Sequence, residues 1–390
     1  MKHRIVVLGA GYAGAFSAGY LARRLHRDDV EITVVNAEPD FVERLRLHQL
    51  ATGRDLRHRP LTEVFAGTGI AVRVARVTAV DVEHHTIALA DGATLTYDTL
   101  LYALGSTVAD HDVPGVAEHA FHVASRPAAL RLRARLDALG ETDEVVVVGG
   151  NLTAIETATE IAETHPELHV SLATRGETGA WLGTEARRHL RTAFDRFGIT
   201  VHEHTPIDRV EPTAARSTDG RVFTADAVVW AAGFAASPLA ATSGLTVAAD
   251  GRISVDRHLR SVSHPRVFVA GDSASVLGDN GRVLPMSCAS AGFTGAQAVA
   301  SIIADLTGRA VKTSALSYLG NHISLGRADA IFQLVDKQGH PRPGALRGWP
   351  AARVKSAIVA TSGWAVSRPT FAKPPRRYRV RALEQSALAG

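Results

Sequence analysis

The sequence predicts an α/β fold organised around two strand–glycine turn–helix units in a chain of 390 residues. Three observations predict it. A fingerprint, Gly9-x-Gly11-x-x-Gly14, follows an aliphatic, β-branched run. A second such run, Val145 to Val148, enters another glycine turn at Gly149, and a helical pattern opens straight afterwards. Further along, strands alternate with small-residue turns in a regular order. The length allows two or three domains, each burying its own core.

The first unit opens with a buried strand over Ile5–Leu8. Gly9 gives the tight turn, Gly11 lets backbone approach a pyrophosphate, and Gly14 lets helix pack on strand. The helix that follows carries Leu21 and Leu25 on one face and offers free N–H groups to an anion at its start. Its context makes this a Rossmann-like dinucleotide site, because a second strand, "VEITVV", ends about twenty residues on. An acidic residue there normally takes the adenosine ribose. Here the position is Asn36, with Glu38 two residues later. Asparagine also accepts from a hydroxyl, and Glu38 reads equally as the partner or as a solvated loop charge.

"TLTYDTLLYALGS", Thr94 to Ser106, is a strand closing on a small turn, and "VPG" at Val113–Gly115 marks a crossover. The second unit keeps Gly149 and Gly150 but has Asn151 and Ala154 where the fingerprint wants glycines. A side chain at Asn151 is expected to crowd a bound pyrophosphate and weaken the site. A helix to Glu163 follows, then the strand "HVSLATR". There Thr174 replaces the acidic residue that selects NAD, and the adjacent Arg175 leans toward the 2′-phosphate of NADPH. "FTADAVVWAAGF" (Phe223–Phe234) repeats the strand-and-turn pattern, and "RVFVAGDSASV" (Arg266–Val276) closes the series.

The charge balance of +4 is mild and spread along the chain, which argues for a solvated surface and against nucleic-acid binding. A single cysteine, Cys288, excludes an intramolecular disulfide and a Cys-x-x-Cys redox or metal site. Next to a helix start it could have a lowered pKa; a small packing residue is the plainer reading. The opening lacks signal-peptide character and no apolar run is long enough to span a bilayer, so a cytoplasmic location is expected.

The ordered motifs from Arg4 to about Ala304, with "NHISLGRADAIFQLV" beyond them, resemble the FAD-dependent pyridine nucleotide-disulfide oxidoreductase superfamily, in particular its type II NADH dehydrogenase-like branch. The resemblance implies two three-layer (ββα) Rossmann-like domains, the second inserted in the first, plus a small C-terminal module. An FAD-binding domain over 1–108 and 236–305, an NAD(P)-binding-like domain over 109–235 and a module with a basic tail over 306–390 follow from it. Gly9, Gly11 and Gly14 would hold the FAD pyrophosphate, Asp272 after Gly271 the ribityl-phosphate portion, and Gly105 and Gly233 would mark the two crossings between domains. Gly149, Gly150, Asn151, Arg175 and Gly233 would be the NAD(P)H contacts.

The same resemblance runs "ERLRLHQLATG", Glu43 to Gly53, beside the flavin. His48 becomes a candidate general base and Gln49 a candidate for orienting the acceptor. Against this, Arg44, Arg46 and His48 also read as the polar stripe of an amphipathic helix with Leu45, Leu47 and Leu50 inward. Glu156 matches a family glutamate close to nicotinamide and flavin. The quinone-site glutamines of the branch are replaced around Cys288–Ala291, and the nearest glutamine is Gln297, so the acceptor pocket has changed.

These readings converge on an FAD oxidoreductase passing a hydride from NAD(P)H, NADPH slightly favoured, to a small quinone-like acceptor. Two alternatives stand beside it: an FAD dehydrogenase or oxidase with a degenerate nicotinamide site acting directly on a small organic substrate, and a flavin-bound interaction protein without turnover. The Pro-, Trp- and Arg-rich C-terminus reads as a poorly ordered basic tail whose prolines break any long helix. The alternative is an anionic membrane surface met by Trp349, Trp364, Lys355 and the run Lys373 to Arg381. The oligomeric state is left open, a homodimer included.

Overall fold

The computed structural model describes residues 1–311, 313, 316, 318, 320–371 and 374–381. In chain order the elements that position the site are β1 (His3–Leu8), α1 (Tyr12–Arg24), β2 (Val30–Asn36), α2 (Leu47–Ala51), β3 (Ile70–Val74) and β4 (Thr99–Tyr102). Then come β5 (Glu144–Val148), α3 (Leu152–Thr164), β6 (His169–Ala173), β7 (Thr200–His202) and β8 (Ala227–Trp230). β9 (Val267–Val269), α4 (Cys288–Thr307), β10 (Gly320–Ser324), β11 (Ala330–Leu334) and α5 (Trp349–Ser367) complete the set.

Two parallel sheets result, in the order β9-β4-β1-β2-β3 and β7-β6-β5-β8. Parallel strands covered on both faces must be apolar throughout, and Val145–Val148, Ile5–Leu8 and Val267–Val269 are all buried. Each such Val or Leu contributes about 1.5–3 kcal/mol on burial. Each sheet carries a three-stranded antiparallel companion, over residues 77–96 and 207–224. The chain thus completes the second sheet before β9 returns to the edge of the first. The strand read as one from Thr94 to Ser106 is two, Thr94–Thr96 in a companion and β4 in the main sheet, because Tyr97 and Asp98 turn the chain between them.

Passage between the sheets is made by two short strands, Ser106–Val108 and Phe234–Ala236, paired antiparallel. Each follows directly on a glycine with positive φ, Gly105 at +73° and Gly233 at +144°. A residue with a side chain adopts neither conformation readily.

The C-terminal region departs from expectation. α5 is a continuous 19-residue helix, because Pro350 falls at its first turn, where the missing N–H costs nothing. Its buried stripe is Ala351, Lys355, Val359, Gly363 and Val366. Nor is the basic segment a loose tail over the residues described. Tyr378 bridges to Leu25 beside β1–α1, Arg376 donates to the carbonyls of Ala22 and Thr68, and Arg379 pairs with Asp29 at 2.8 Å. The backbone N–H of Arg381 donates to Leu306 O at 2.9 Å. Lys355, which the sequence offered to a membrane surface, is only 5 % exposed. Lys373 lies outside the described residues. Among those described, no helix is long and apolar enough to cross a membrane.

The strap begins at Pro369, which packs on α1 where it meets Gly19. A Cβ on Gly19 would lie 2.3 Å from Pro369 Cβ and 2.6 Å from its carbonyl oxygen. Gly to Ala within a helix ordinarily stabilises by about 1 kcal/mol; here the sign should reverse. Gly19→Ala is expected to lower the melting temperature and to speed tryptic cleavage within residues 376–381. A raised melting temperature with unchanged cleavage would show that the strap does not depend on this contact.

Candidate active site

The first turn is built as its sequence requires. Gly9 has φ +91°, and a Cβ there would sit 2.3 Å from Ala103 O; at Gly14 one would sit 1.9 Å from Gly9 O. At Gly11 a Cβ would meet nothing within 4 Å. Gly11 therefore keeps space in front of the turn open, whereas Gly9 and Gly14 satisfy the fold itself. No side chain caps α1 and its first turn holds no acidic residue, so its N–H groups remain available to an anion. The site fits a dinucleotide pyrophosphate.

Asn36 is used differently from expectation. Its Oδ1 accepts from Ala10 N–H at 2.8 Å and its Nδ2 donates to Glu38 O at 2.8 Å. The amide thus fastens the turn to the end of β2. Glu38 is half-buried, lines the cavity and has no side-chain partner among the described residues, which leaves its carboxylate the freer of the two for a ribose.

Both turns open onto one cavity of about 1120 Å³. Its lining includes Gly9, Gly11, Gly105, Gly271, Asp272 and Gly233. Ser106 Oγ donates to Asp272 Oδ2 at 2.7 Å. Arg44, which the amphipathic reading had facing solvent, instead lines the cavity. Its Nη1 donates to Ser106 O at 3.0 Å and lies 4.0 Å from Asp272, and its guanidinium sits over the Phe234 ring. It therefore touches both crossing strands and the Asp272 turn. Residues 44–46 form a 3₁₀ turn before α2, which breaks the helical stripe and redirects Arg44.

At the second turn the backbone of Asn151, φ −91° and ψ 178°, matches that of Gly11 at −70° and −167°. Extended backbone of this kind suits any residue, so asparagine imposes no strain. Its side chain is exposed, makes no cap to α3 and borders the cavity. Ala154 is fully buried, and Gly149 makes room for it by adopting φ +141°, against +91° at Gly9. A Cβ on Gly149 would be 2.4 Å from Ala231 O, and one on Gly150 would be 2.4 Å from Thr174 Oγ1. Gly149, Gly150 and Gly14 shape the turns from behind without bordering the cavity. Arg175 is exposed and also outside the cavity lining.

Glu156 and Lys355 form a buried ion pair, each 5 % exposed, at the wall where α3 meets α5. Glu156 Oε1 also accepts from Ser324 N–H at 2.9 Å, and Lys355 Nζ donates to His322 O at 2.9 Å. Burial opposes ionisation of Glu156, yet Lys355 beside it holds the carboxyl below its ordinary value. His48 is 5 % exposed and borders the cavity, with Nε2 buried and without a partner among the described residues. Burial pulls its pKa down, against the opposing pull of Glu156 and Glu160. Neutral imidazole is the form favoured at pH 7. Gln49 does not join this group. It points away from the cavity and accepts from Arg46 Nε at 3.0 Å, because successive residues of a short helix face different ways. Cys288 begins α4 and borders the cavity, and burial pushes its thiol up to about 11, so the helix start does not activate it.

Lys355 is the residue that sequence reasoning missed. The signal was present as a lysine in register with Ala351, Val359 and Gly363, on a face otherwise wholly small or apolar.

The profile of the pyridine nucleotide-disulphide oxidoreductase family matches residues 3–295. A NADH dehydrogenase-like protein of Mycobacterium tuberculosis is 32 % identical over 384 residues, covering 91 % of this chain and 92 % of that protein. A type II NADH:quinone oxidoreductase of the same organism is 30 % identical over 332 residues, 71 % of this chain and 67 % of it. Among solved structures, a sulfide:quinone oxidoreductase from Aquifex aeolicus superposes with a TM-score of 0.79 at 19 % identity, over 95 % of this chain and 92 % of that one.

Two predictions follow from the geometry. Gly11→Val should fold with an unchanged apoprotein melting temperature but purify without flavin, whereas Gly14→Val should fail to fold stably. Full flavin occupancy in Gly11→Val would remove the assignment of this turn. Lys355→Met strands a buried carboxylate and should cost about 3–5 kcal/mol at neutral pH; adding Glu156→Gln should recover most of it. Because the folded pKa of Glu156 is depressed, the pair's contribution is present above the unfolded value of ~4.3 and is lost as pH falls through the folded value. The stability gap between the wild type and Lys355→Met, followed by denaturant titration, should therefore narrow in acid. A gap independent of pH would contradict an ionised pair.

Proposed function

The chain belongs to the pyridine nucleotide-disulphide oxidoreductase family, as an oxidoreductase of its NADH dehydrogenase-like branch, and we propose that it passes a hydride from NAD(P)H through FAD to a small quinone-like acceptor. One observation carries the proposal. A single cavity joins the intact first turn, the second turn at Asn151, and a wall holding His48, Glu156 and Lys355. Relatives named for NADH and quinone support the direction of transfer.

Bound FAD would supply the two-electron carrier between donor and acceptor. Gly9, Gly11 and the free N–H groups of α1 would hold its pyrophosphate, Glu38 its adenosine ribose, and Asp272 with Arg44 the ribityl end. The extended backbone at Asn151 supports nicotinamide binding at the second turn, with the carboxamide bordering the diphosphate path. The buried Lys355 cation offsets negative charge gathering near Glu156. His48, whose unpartnered Nε2 borders the cavity, would accept or donate a hydrogen bond at the reacting end.

A dithiol–disulfide relay within the chain needs a second cysteine, which the sequence does not contain. The competing reading, a flavoenzyme that has lost its nicotinamide donor, rests on the side chain at Asn151.

Anaerobic mixing of purified protein with NADH and with NADPH decides between them, with flavin absorbance as the readout. Bleaching by at least one nucleotide is expected. Crowding at Asn151 should weaken that nucleotide by about 1–3 kcal/mol, roughly 5- to 150-fold, so Asn151→Gly should tighten it. Tight binding that the variant leaves unimproved would mean the carboxamide is itself a contact. No bleaching by either nucleotide, in either protein, would promote the donor-less reading.

A further inference from the structure

The cavity wall contributed by β10 carries a second imidazole that the mechanism above does not use. His322 borders the cavity, and its Nδ1 is buried without a hydrogen-bond partner among the described residues. The ring is held in place. It stacks on Phe332 of the paired strand β11, with centroids 6.3 Å apart and planes 4° from parallel. Its backbone carbonyl receives Lys355 Nζ, so the side chain is not needed to hold that ion pair. His48 borders the same cavity, with its own unpartnered Nε2. Charge on Glu156 and Lys355 acts on both rings, which places both imidazoles near the same pair.

An unpartnered buried polar atom costs about 1–3 kcal/mol. Two such imidazole nitrogens at one cavity, His48 Nε2 and His322 Nδ1, are explained by a ligand that satisfies both. We infer that His322 and His48 bind two oxygens of the acceptor, and that the acceptor is a small hydroxylated quinone with a polar edge rather than one with a long apolar tail. This rests on the quinone reading of the proposed function. Burial lowers the pKa of both rings, so each is neutral at pH 7 and its unpartnered nitrogen donates or accepts according to the tautomer. That choice suits carbonyl and hydroxyl oxygens alike. The neighbouring Tyr318 hydroxyl donates to Asn321 Oδ1 at 2.6 Å, and both residues border the cavity on this wall, which keeps it polar.

The test separates the acceptor step from the donor step. Flavin-loaded protein is reduced with dithionite, freed of excess reductant under anaerobic conditions, and mixed with 2-hydroxy-1,4-naphthoquinone or with a decyl-tailed benzoquinone. Loss of one neutral hydrogen bond predicts that His322→Leu raises the half-saturating concentration of the hydroxynaphthoquinone for flavin reoxidation about tenfold, with a much smaller change for the decyl-tailed compound. His322→Gln, which retains a donor and an acceptor, should recover most of the affinity and guards against misfolding of the leucine variant. An unchanged half-saturating concentration of the hydroxynaphthoquinone in His322→Leu, or equal losses for both quinones, would overturn the inference. Failure of both quinones to reoxidise the unmodified protein would instead overturn the quinone reading beneath it.

Discussion

The arrangement of the site depends on one buried ion pair. Glu156 rises from α3 and Lys355 from α5, and neither is tolerable in the interior without the other. Removing both charges from water costs several kcal/mol per ion before their attraction repays it. The repayment requires close contact and further hydrogen bonds, which Ser324 N–H and the His322 carbonyl provide. That requirement fixes where α5 can lie. Once α5 is fixed, the C-terminal strands face the two nucleotide turns, and the open space among them becomes one cavity.

Much of this was legible in the sequence, and the reasons are local. The strand–turn–helix at Gly9 is encoded within a dozen residues, each with its own steric reason. Glu156 was legible because it sits at a fixed distance from a recognisable turn. The failures share a different cause. Lys355 lies 199 residues from its partner, and a lysine beside tryptophans near a basic run reads as surface chemistry until the fold brings a carboxylate to it. Gln49 and Arg44 exchanged places, one leaving the site and the other entering, because a 3₁₀ turn changed the helical phase at residues 44–46. The tail reading failed for a similar reason: its arginines find partners in Asp29 and in backbone carbonyls far away in sequence.

The second turn shows how an altered fingerprint keeps its shape. A methyl group at Ala154 would collide if Gly149 copied Gly9, where a Cβ at the third position would lie 1.9 Å from the turn carbonyl. Gly149 instead rotates to φ +141°, which moves its carbonyl aside. Only glycine adopts that backbone readily. The first glycine therefore absorbs the loss of the third. Asn151 needs no compensation, since its backbone is ordinary and its side chain reaches open space.

The return of β9 to the first sheet carries a consequence for how the chain reaches this state. β4 pairs with a strand about 165 residues further on, after a complete second sheet has been traversed. Residues 376–381 then close over α1, 350 and 354 positions from their partners at Asp29 and Arg24. Contacts of such sequence separation form late, because loop closure must be met before they reward it. During synthesis the edge of β4 has no partner until Val267–Val269 has been made, after the whole intervening sheet. The inserted unit thus acts as a tether that shortens the search. With Ser106–Val108 paired to Phe234–Ala236, only the span from Ala236 to Val267 is left to close before β9 meets the edge of β4.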